Sequence, residues 1–201
     1  HYAPNALAAG KDQRETLLRA ADLARVGLAG TLRDVRMTTH DGSVRRFAGI
    51  DYAGQPAGYV AQPGEVVNYV ENHDNPTLFD ILALKLPRAT TREERARIQL
   101  LGAAFVGFSQ GIAYYHAGME VLRSKSLDRN SFDSGDWFNR LDWSHADNGF
   151  GAGLPPSRDN GKDWALLGPV LMDPSIKPRA QDIVWMRDAF NALLRIRRSS
   201  T

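Results

Sequence analysis

Two short apolar runs on either side of a long amphipathic helix constrain the fold of this chain more than any other feature. Residues 66–70 and 111–116 are almost continuously apolar and rich in β-branched and aromatic side chains. Such runs are expected of strands buried on both faces of a parallel sheet. Between them, Thr91-Arg92-Glu93-Glu94 matches a capping box that begins a helix predicted to reach Phe108. Strand, helix and strand in this order predict parallel β/α units.

The remaining segments extend this pattern. Apolar residues recur at helical spacing over residues 13–28 and 182–198, which predicts a first and a last helix. Turn signals within residues 38–63 predict a hairpin excursion, and residues 123–178 have the polar composition of a long loop. The chain is therefore predicted to be α/β, and the pattern fits either a barrel or a doubly wound sheet. If the fold is a barrel, the chain is a segment of it, because two strands cannot close an eight-stranded barrel.

Composition excludes several classes of protein. A formal net charge of +2 across 201 residues is too small to predict nucleic-acid binding. No apolar stretch approaches the roughly 18 residues that a membrane span requires. With no Cys there is no disulfide or thiol chemistry. Without internal repeats, residues 1–201 are expected to form a single unit, and the start at His1 instead of Met predicts a segment of a longer protein.

Polar side chains cluster directly after the first apolar run. Glu71, His73, Asp74 and Asn75 lie within five residues. A carboxylate accepts two hydrogen bonds and an imidazole donates one, a combination suited to sugar or other hydroxyl groups. The alternative from these residues alone is an Asx-turn that ends a strand.

Three segments resemble a known enzyme family. Residues 67–75, Val-Asn-Tyr-Val-Glu-Asn-His-Asp-Asn, resemble the fourth conserved region of the alpha-amylase superfamily of glycoside hydrolases. Residues 123–129, Arg-Ser-Lys-Ser-Leu-Asp-Arg, and 134–140, Ser-Gly-Asp-Trp-Phe-Asn-Arg, resemble its pullulanase and limit-dextrinase branch. The resemblance covers nearly the whole chain.

The resemblance implies a partial (β/α)8 TIM barrel, from about helix 6 to helix 8 with strands 7 and 8, in an enzyme that hydrolyses α-1,6-glucosidic linkages with retention. Retaining hydrolysis needs a carboxylate nucleophile and a separate general acid, and the family's order of conserved regions places both before His1. No cofactor is implied. The implied partners are an α-glucan oligo- or polysaccharide and the rest of the catalytic barrel, without nucleic acid or membrane. The family is compatible with a secreted or periplasmic location, which the sequence does not establish.

The family's site residues map onto three positions of the loop after the first strand. Asp74 matches the carboxylate that stabilises the oxocarbenium-like transition state, and His73 and Asn75 match residues that bind the same sugar. Pro76 is expected to restrict Asn75 to extended conformations.

The second loop is expected to add Arg129, Trp137 and Asn139 as substrate-binding residues, with Glu120 orienting the loop. The alternative for this loop is one held together by its own salt bridges. His116 is expected to be a hydrogen-bonded core residue. No metal site is predicted, because His1, His40 and His145 are too scattered along the chain.

Two other functions stay open from the sequence. The chain could be a non-catalytic carbohydrate-binding or structural fragment, or part of an amylase-type hydrolase that acts on α-1,4 linkages. The pullulanase-like segments at residues 123–129 and 134–140 favour α-1,6 cleavage.

Overall fold

A computed structural model of the protein describes residues 12–199, whose regular structure is mostly helical. The helices are α1 (Asp12–Leu28), α2 (Leu78–Lys85), α3 (Arg92–Phe108), α4 (Asp136–Asn139), α5 (Ser157–Asn160), α6 (Trp164–Leu171) and α7 (Ala180–Ser199). The strands are β1 (Arg36–Thr38), β2 (Val44–Arg46), β3 (Asp51–Tyr52), β4 (Gln55–Pro56), β5 (Val67–Asn68) and β6 (Ile112–Ala113).

The described residues form two compact units. The first, which we call the helical unit, comprises residues 70–104 and 115–199, and the second, the hairpin unit, comprises residues 12–69 and 105–114. Each unit has its own cluster of buried apolar side chains. The expectation that the chain behaves as one unit stays a prediction, because two clusters of contacts can still unfold together.

The hairpin unit is built from α1 and three two-stranded sheets. β1 pairs antiparallel with β2, β3 pairs antiparallel with β4, and β5 pairs parallel with β6. Val26 of α1 packs with Phe47, Ile50 and Ala57 in the core of this unit. Asp22 of α1 is buried and accepts hydrogen bonds from the main-chain N–H of His40, at 2.8 Å, and from its side-chain Nδ1, at 2.7 Å. This pair ties the helix to the turn between β1 and β2.

The helical unit buries its core among α2, α6, α7 and the part of α3 that ends at residue 104. Its fully buried apolar residues include Ala103, Ile183 and Met186. Arg95 of α3 is also buried, and its guanidinium donates to the carbonyl oxygens of Leu82, Pro87 and Thr90 at 3.1–3.2 Å. One side chain therefore satisfies three carbonyls between the end of α2 and the start of α3.

The prediction of a partial (β/α)8 barrel is wrong. The two apolar runs contribute only β5 and β6, which pair over two residues each, and the other sheets are antiparallel hairpins. The described part of the chain shows no barrel closure. Apolarity was misleading as a guide to burial, because Val67 and Ile112 are 49% and 52% exposed. These runs are therefore not strands covered on both faces.

The predicted first and last helices and the long central helix are confirmed as α1, α7 and α3. At the start of α3, Glu94 accepts from the main-chain N–H of Thr91 at 2.8 Å, and Thr91 Oγ1 accepts from that of Glu94 at 3.2 Å, as the capping box predicts. The prediction of a long polar loop over residues 123–178 is only partly correct, because this segment contains helices, of which α6 is the longest. Pro169 lies inside α6, and this helix breaker concealed a segment whose Leu167 and Val170 are buried.

The exposed apolar side chains around β5 and β6 predict that the isolated chain self-associates. Val67, Tyr69, Ile112 and Tyr114 are each 40–54% exposed, and within residues 12–199 the two strands pair only with each other. Exposed apolar side chains on unpaired strand edges favour association between molecules. Sedimentation equilibrium should therefore show species heavier than a monomer. Ile112→Lys should reduce the association, whereas Val44→Lys in the hairpin of β1 and β2 should not, and a sharp wild-type monomer would contradict the prediction.

Candidate functional site

The loop that carries the predicted site residues lies in the helical unit, immediately before α2. The main-chain N–H of Asp74 donates to Asn72 Oδ1 at 2.8 Å, which forms the predicted Asx-turn. The side chains of His73 and Asp74 are 79% and 68% exposed, with 3.6 Å between His73 Nε2 and Asp74 Oδ2. The turn uses the side chain of Asn72 and the main chain of Asp74, so the side chains of His73 and Asp74 remain exposed.

Asn75 does not adopt the extended conformation that Pro76 led us to expect. Its φ is +62°, in the left-handed region. Asparagine is one of the few residues that tolerate this region, because its short polar side chain can form local hydrogen bonds. The tight turn therefore overrides the preference that the following proline imposes.

Arg129 comes close to this loop from more than fifty residues further along the chain. Asp74, Asn75, Arg129 and Asn130 line an open depression of about 320 Å³. Arg129 Nε donates to the carbonyl oxygen of Asp159 at 2.8 Å, so its guanidinium is oriented by the main chain. A carboxylate, two amides and a guanidinium thus share one solvent-filled site.

Trp137 and Asn139 are not among the residues that line this depression. Trp137 is 69% exposed, with the Arg140 guanidinium 5.9 Å from its ring centroid. The Asn139 amide donates to the carbonyl oxygens of Ser131, at 2.6 Å, and Gly135, at 3.0 Å. Asn139 therefore holds its own loop together. The alternative was a loop held by its own salt bridges, and here hydrogen bonds have that role. The substrate contacts of Trp137 and Asn139 stay predictions.

The pullulanase-like segment 123–129 is largely buried. Five consecutive residues from Ser124 to Asp128 are at most 2% exposed. Lys125 Nζ donates to the main-chain carbonyl oxygen of His73 at 3.0 Å, and the Lys125 N–H donates to Asp80 Oδ2 at 2.8 Å. The segment thus supports the site loop from beneath. The sequence places Lys125 among the polar residues of the second loop but does not reveal its buried supporting position, and nothing in the sequence pattern singles out Asp80.

The backbone of this segment adopts an uncommon conformation. Leu122, Ser126 and Leu127 have φ values of +57°, +51° and +63°. Non-glycine residues rarely populate this region, and such positions concentrate at functional sites when their surroundings hold them in place. Here Ser126 Oγ donates to the carbonyl oxygen of Gly153 at 2.6 Å, and Leu127 is buried.

Asp80 is the buried acceptor for this turn. Its carboxylate accepts from Ser124 Oγ as well as from the Lys125 N–H. Burial raises the pKa of Asp80 from 3.8 to about 6, and these hydrogen bonds oppose the increase.

A second buried polar group surrounds His116, and Glu120 lies nearby in the sequence. His116 is 9% exposed, and its Nε2 lies 3.3 Å from Arg123 Nη1, which confirms the expectation of a hydrogen-bonded core residue. Its Nδ1 lies 3.6 Å from Glu71 Oε1, while Glu71 Oε2 accepts from the Leu78 N–H. Glu120 accepts from the Gly118 N–H at 3.0 Å, consistent with its predicted orienting role.

Metal-binding groups and membrane-spanning helices are absent from the described part of the chain. Residues 12–199 contain no group of three or more His, Asp or Glu side chains that could hold a metal ion. His40 pairs with Asp22, His145 Nδ1 lies 3.4 Å from Arg187 Nη1, and His1 lies outside the described residues. No helix among these residues is long and apolar enough to cross a membrane.

The raised pKa of Asp80 predicts a pH dependence of stability. The pKa is higher in the folded state than its ordinary 3.8, so protonation favours folding. This contribution is complete below about pH 4 and is lost as the pH rises through about 6, by roughly 3 kcal/mol in total. Urea unfolding of the wild type and of Asp80→Asn should therefore give a stability difference that shifts toward the variant across this range. Exposed Asp136→Asn is the control, and parallel pH profiles for the wild type and Asp80→Asn would contradict the prediction.

Comparisons with known proteins found several that are similar to this chain. Residues 145–201 match the family model described as alpha-1,6-glucosidases, pullulanase-type, C-terminal. The chain is 45% identical over 200 residues to pullulanase 1 of Arabidopsis thaliana and 42% identical over 197 residues to the pullulanase of Klebsiella aerogenes. Each alignment covers 98% of this chain, but the chain spans only about a fifth of those relatives, 21% and 18% of their lengths.

A solved structure is similar over the same extent. Klebsiella pneumoniae pullulanase complexed with maltotriose matches 98% of this chain and 18% of its own, with a TM-score of 0.90 and 40% identity. The family model describes a C-terminal domain, in agreement with the absence of barrel closure among residues 12–199. Residues 145–201 therefore match a pullulanase-type C-terminal domain, and the chain is similar over nearly all of its length to one part of the longer pullulanases.

Proposed function

We propose that this chain is part of a debranching enzyme that hydrolyses α-1,6-glucosidic linkages in pullulan, limit dextrins and related α-glucans with retention of configuration. The observation that carries the proposal is the open depression lined by Asp74, Asn75, Arg129 and Asn130, in a chain similar to pullulanases. The relatives are named for that activity, and the depression has the polar chemistry that a sugar requires.

The groups around the depression include both hydrogen-bond donors and acceptors, as a sugar hydroxyl requires. Asp74 accepts hydrogen bonds, Arg129 donates them, and the amides of Asn75 and Asn130 do both. The exposed imidazole of His73 lies beside Asp74 and adds one more donor. A pyranose ring carries hydroxyls that act as both donor and acceptor, so this mixture suits it better than it suits an anion or a cation.

In this proposal, the negative charge of Asp74 stabilises the transition state. A retaining glycosidase passes through an oxocarbenium-like transition state, and an ionised carboxylate beside the ring stabilises the positive charge that develops. The nucleophile and the general acid lie, in this proposal, in the part of the longer protein outside this chain, which spans only 18–21% of its relatives. That remainder is the proposed protein partner of the chain.

Trp137 and Asn139 extend the proposed binding surface. The exposed indole of Trp137 offers a flat face of the kind on which sugar rings stack. Asn139 fixes the loop around Trp137 through its two donated hydrogen bonds, so its contribution to substrate binding is indirect.

A non-catalytic glucan-binding role is the second candidate. One observation favours it: the site residues His73 and Asp74 are exposed in this chain itself, and the similar Klebsiella pneumoniae pullulanase was crystallised with maltotriose. Binding of maltotriose without turnover by any longer protein containing the chain would favour this candidate over catalysis. Turnover of α-1,4-linked amylose but not of pullulan would favour the amylase-type alternative.

The isolated chain should show no hydrolysis of pullulan. Without its nucleophile and general acid, a retaining mechanism loses both covalent and proton-transfer catalysis. The measurement is release of reducing ends by the purified chain, with the Asp74→Asn chain as a control for contaminating hydrolases. Release that disappears in the variant would show that the chain is itself an enzyme and contradict the prediction.

Asp74→Asn should lower turnover far more than substrate affinity when the chain is part of a complete enzyme. A suitable enzyme is the pullulanase of Klebsiella pneumoniae with its matching segment replaced by this chain. We expect kcat on pullulan to fall by about 100-fold or more, with KM little changed, because the charge acts mainly in the transition state. Asp136→Asn is the matched control, with unchanged kcat. An Asp74→Asn effect confined to KM would make Asp74 a binding residue only.

A further inference from the structure

We propose that Lys125 is a positioning residue that holds the site loop, residues 72–76, in its binding-competent conformation through the main-chain carbonyl of His73. The inference rests on the proposed function, because it assumes that His73 and Asp74 contact a glucan. It assigns a role to a buried lysine that touches neither the depression nor solvent.

The geometry singles out Lys125 among the buried polar residues. It is 1% exposed, which is rare for a lysine because a buried ammonium loses its hydration. Its Nζ donates to the carbonyl oxygen of His73 at 3.0 Å across 52 residues of sequence. A charge-assisted hydrogen bond of this kind is stronger than one between neutral groups. One ammonium therefore connects the buried segment 123–129 to the exposed loop.

The main chain of Lys125 is itself held in place by hydrogen bonds. Its main-chain N–H donates to Asp80 Oδ2 at 2.8 Å, and its carbonyl oxygen accepts from the Asp128 N–H at 3.0 Å. Ser126 and Leu127 follow in the left-handed region, which turns the chain directly after Lys125. The ammonium is therefore presented from a turn that is anchored on both sides, so it can determine where the His73 carbonyl lies.

Three nearby carboxylates favour the ammonium form. Burial lowers the pKa of Lys125, and the Arg123 guanidinium lowers it further, while the carboxylates of Asp80, Asp128 and Asp74 oppose both effects. Asp74 is the exposed member of this set and belongs to the depression. The direct action of Lys125 on the site loop is its bond to the His73 carbonyl.

Apart from the bond from Lys125, the hydrogen bonds of the site loop lie at its ends or within it. Glu71, directly before the loop, accepts from the N–H of Leu78, which follows the loop. The Asp74 N–H bonds to Asn72 within the loop, and Asn75 occupies the left-handed region. Both features are local and would survive a rigid displacement of the whole turn. The bond from Lys125 is a long-range contact that relates the turn to the buried part of the helical unit, so its loss should displace the turn.

The absence of cysteine permits a sharp test. In the Lys125→Cys variant the new thiol is unique, because the chain has no Cys. Alkylation in denaturant with 2-bromoethylamine, followed by refolding, restores an ammonium on a side chain of lysine length. Alkylation with 1-iodopropane gives a side chain of nearly the same shape with a methyl group in place of the ammonium. The two proteins differ only in the group that would bond His73.

Maltotriose affinity is the first readout, measured by equilibrium dialysis, which tolerates self-association. We expect the aminoethyl protein to bind like the wild type and the propyl protein to bind about tenfold more weakly, the cost of one charge-assisted hydrogen bond. The control is Lys162→Met at an exposed lysine, which should bind like the wild type. Equal binding by the aminoethyl and propyl proteins would overturn the proposal.

Hydrogen exchange by mass spectrometry is the second readout. The propyl protein should exchange faster in peptides covering residues 72–76, with helix α7 unchanged, whereas a general loss of stability would raise exchange in both. Equal exchange in residues 72–76 of the two alkylated proteins would also overturn the proposal. If neither protein refolds, Lys125→Met and Lys125→Arg replace them, with Arg expected to restore protection and affinity and Met to lose both.

The two readouts separate this inference from the function on which it rests. A wild-type chain that does not bind maltotriose counts against the proposed glucan site, while the exchange difference still decides whether Lys125 holds the loop. Wild-type binding together with no difference between the alkylated proteins leaves the proposed function intact and removes the role of Lys125.

Discussion

The buried carboxylate of Asp80 is the interaction on which the candidate site depends. It lies in α2, directly after the site loop, and accepts hydrogen bonds from Ser124 and from the main chain of Lys125. A buried carboxylate is costly unless its oxygens are bonded, so the turn at residues 124–128 must pack against α2. The side chain of Lys125 in turn donates to the His73 carbonyl and so links this turn to the site loop. The exposed loop at His73 and Asp74 is thus supported by a chain of buried polar contacts.

This arrangement explains why so much of the pullulanase-like segment is hidden. Among its charged residues, Lys125 and Asp128 are buried, whereas Arg129 reaches the depression. The Asn160 amide donates to Asp128 Oδ1 at 3.0 Å, and Asn160 Oδ1 accepts from the Arg129 N–H at 3.2 Å. The segment therefore acts mainly as a support that aims one side chain at the site.

The hairpin unit illustrates a different physical balance. Its apolar strand residues are exposed and its described sheets contain only two strands each. Its stability therefore comes from the packing of α1 on the hairpins and from the hydrogen bonds between buried Asp22 and His40. A two-stranded sheet is marginal by itself in water. The apolar side chains of β5 and β6 that predicted strands are therefore exposed and available for contacts with other molecules.

The sequence by itself determined the helices with regular apolar periodicity or a capping box, α1, α3 and α7, and the loop residues His73, Asp74 and Asn75 as candidates for hydroxyl recognition. These features are local, because caps, periodicity and turns depend on residues within a few positions of one another. Only the tertiary structure decided the burial of the two apolar runs, the helical conformation of α6 across Pro169, the meeting of Arg129 with Asp74, and the bond from Lys125 to His73. Those outcomes depend on which distant segments cover or contact a residue, and hydrophobicity along the chain does not encode that choice.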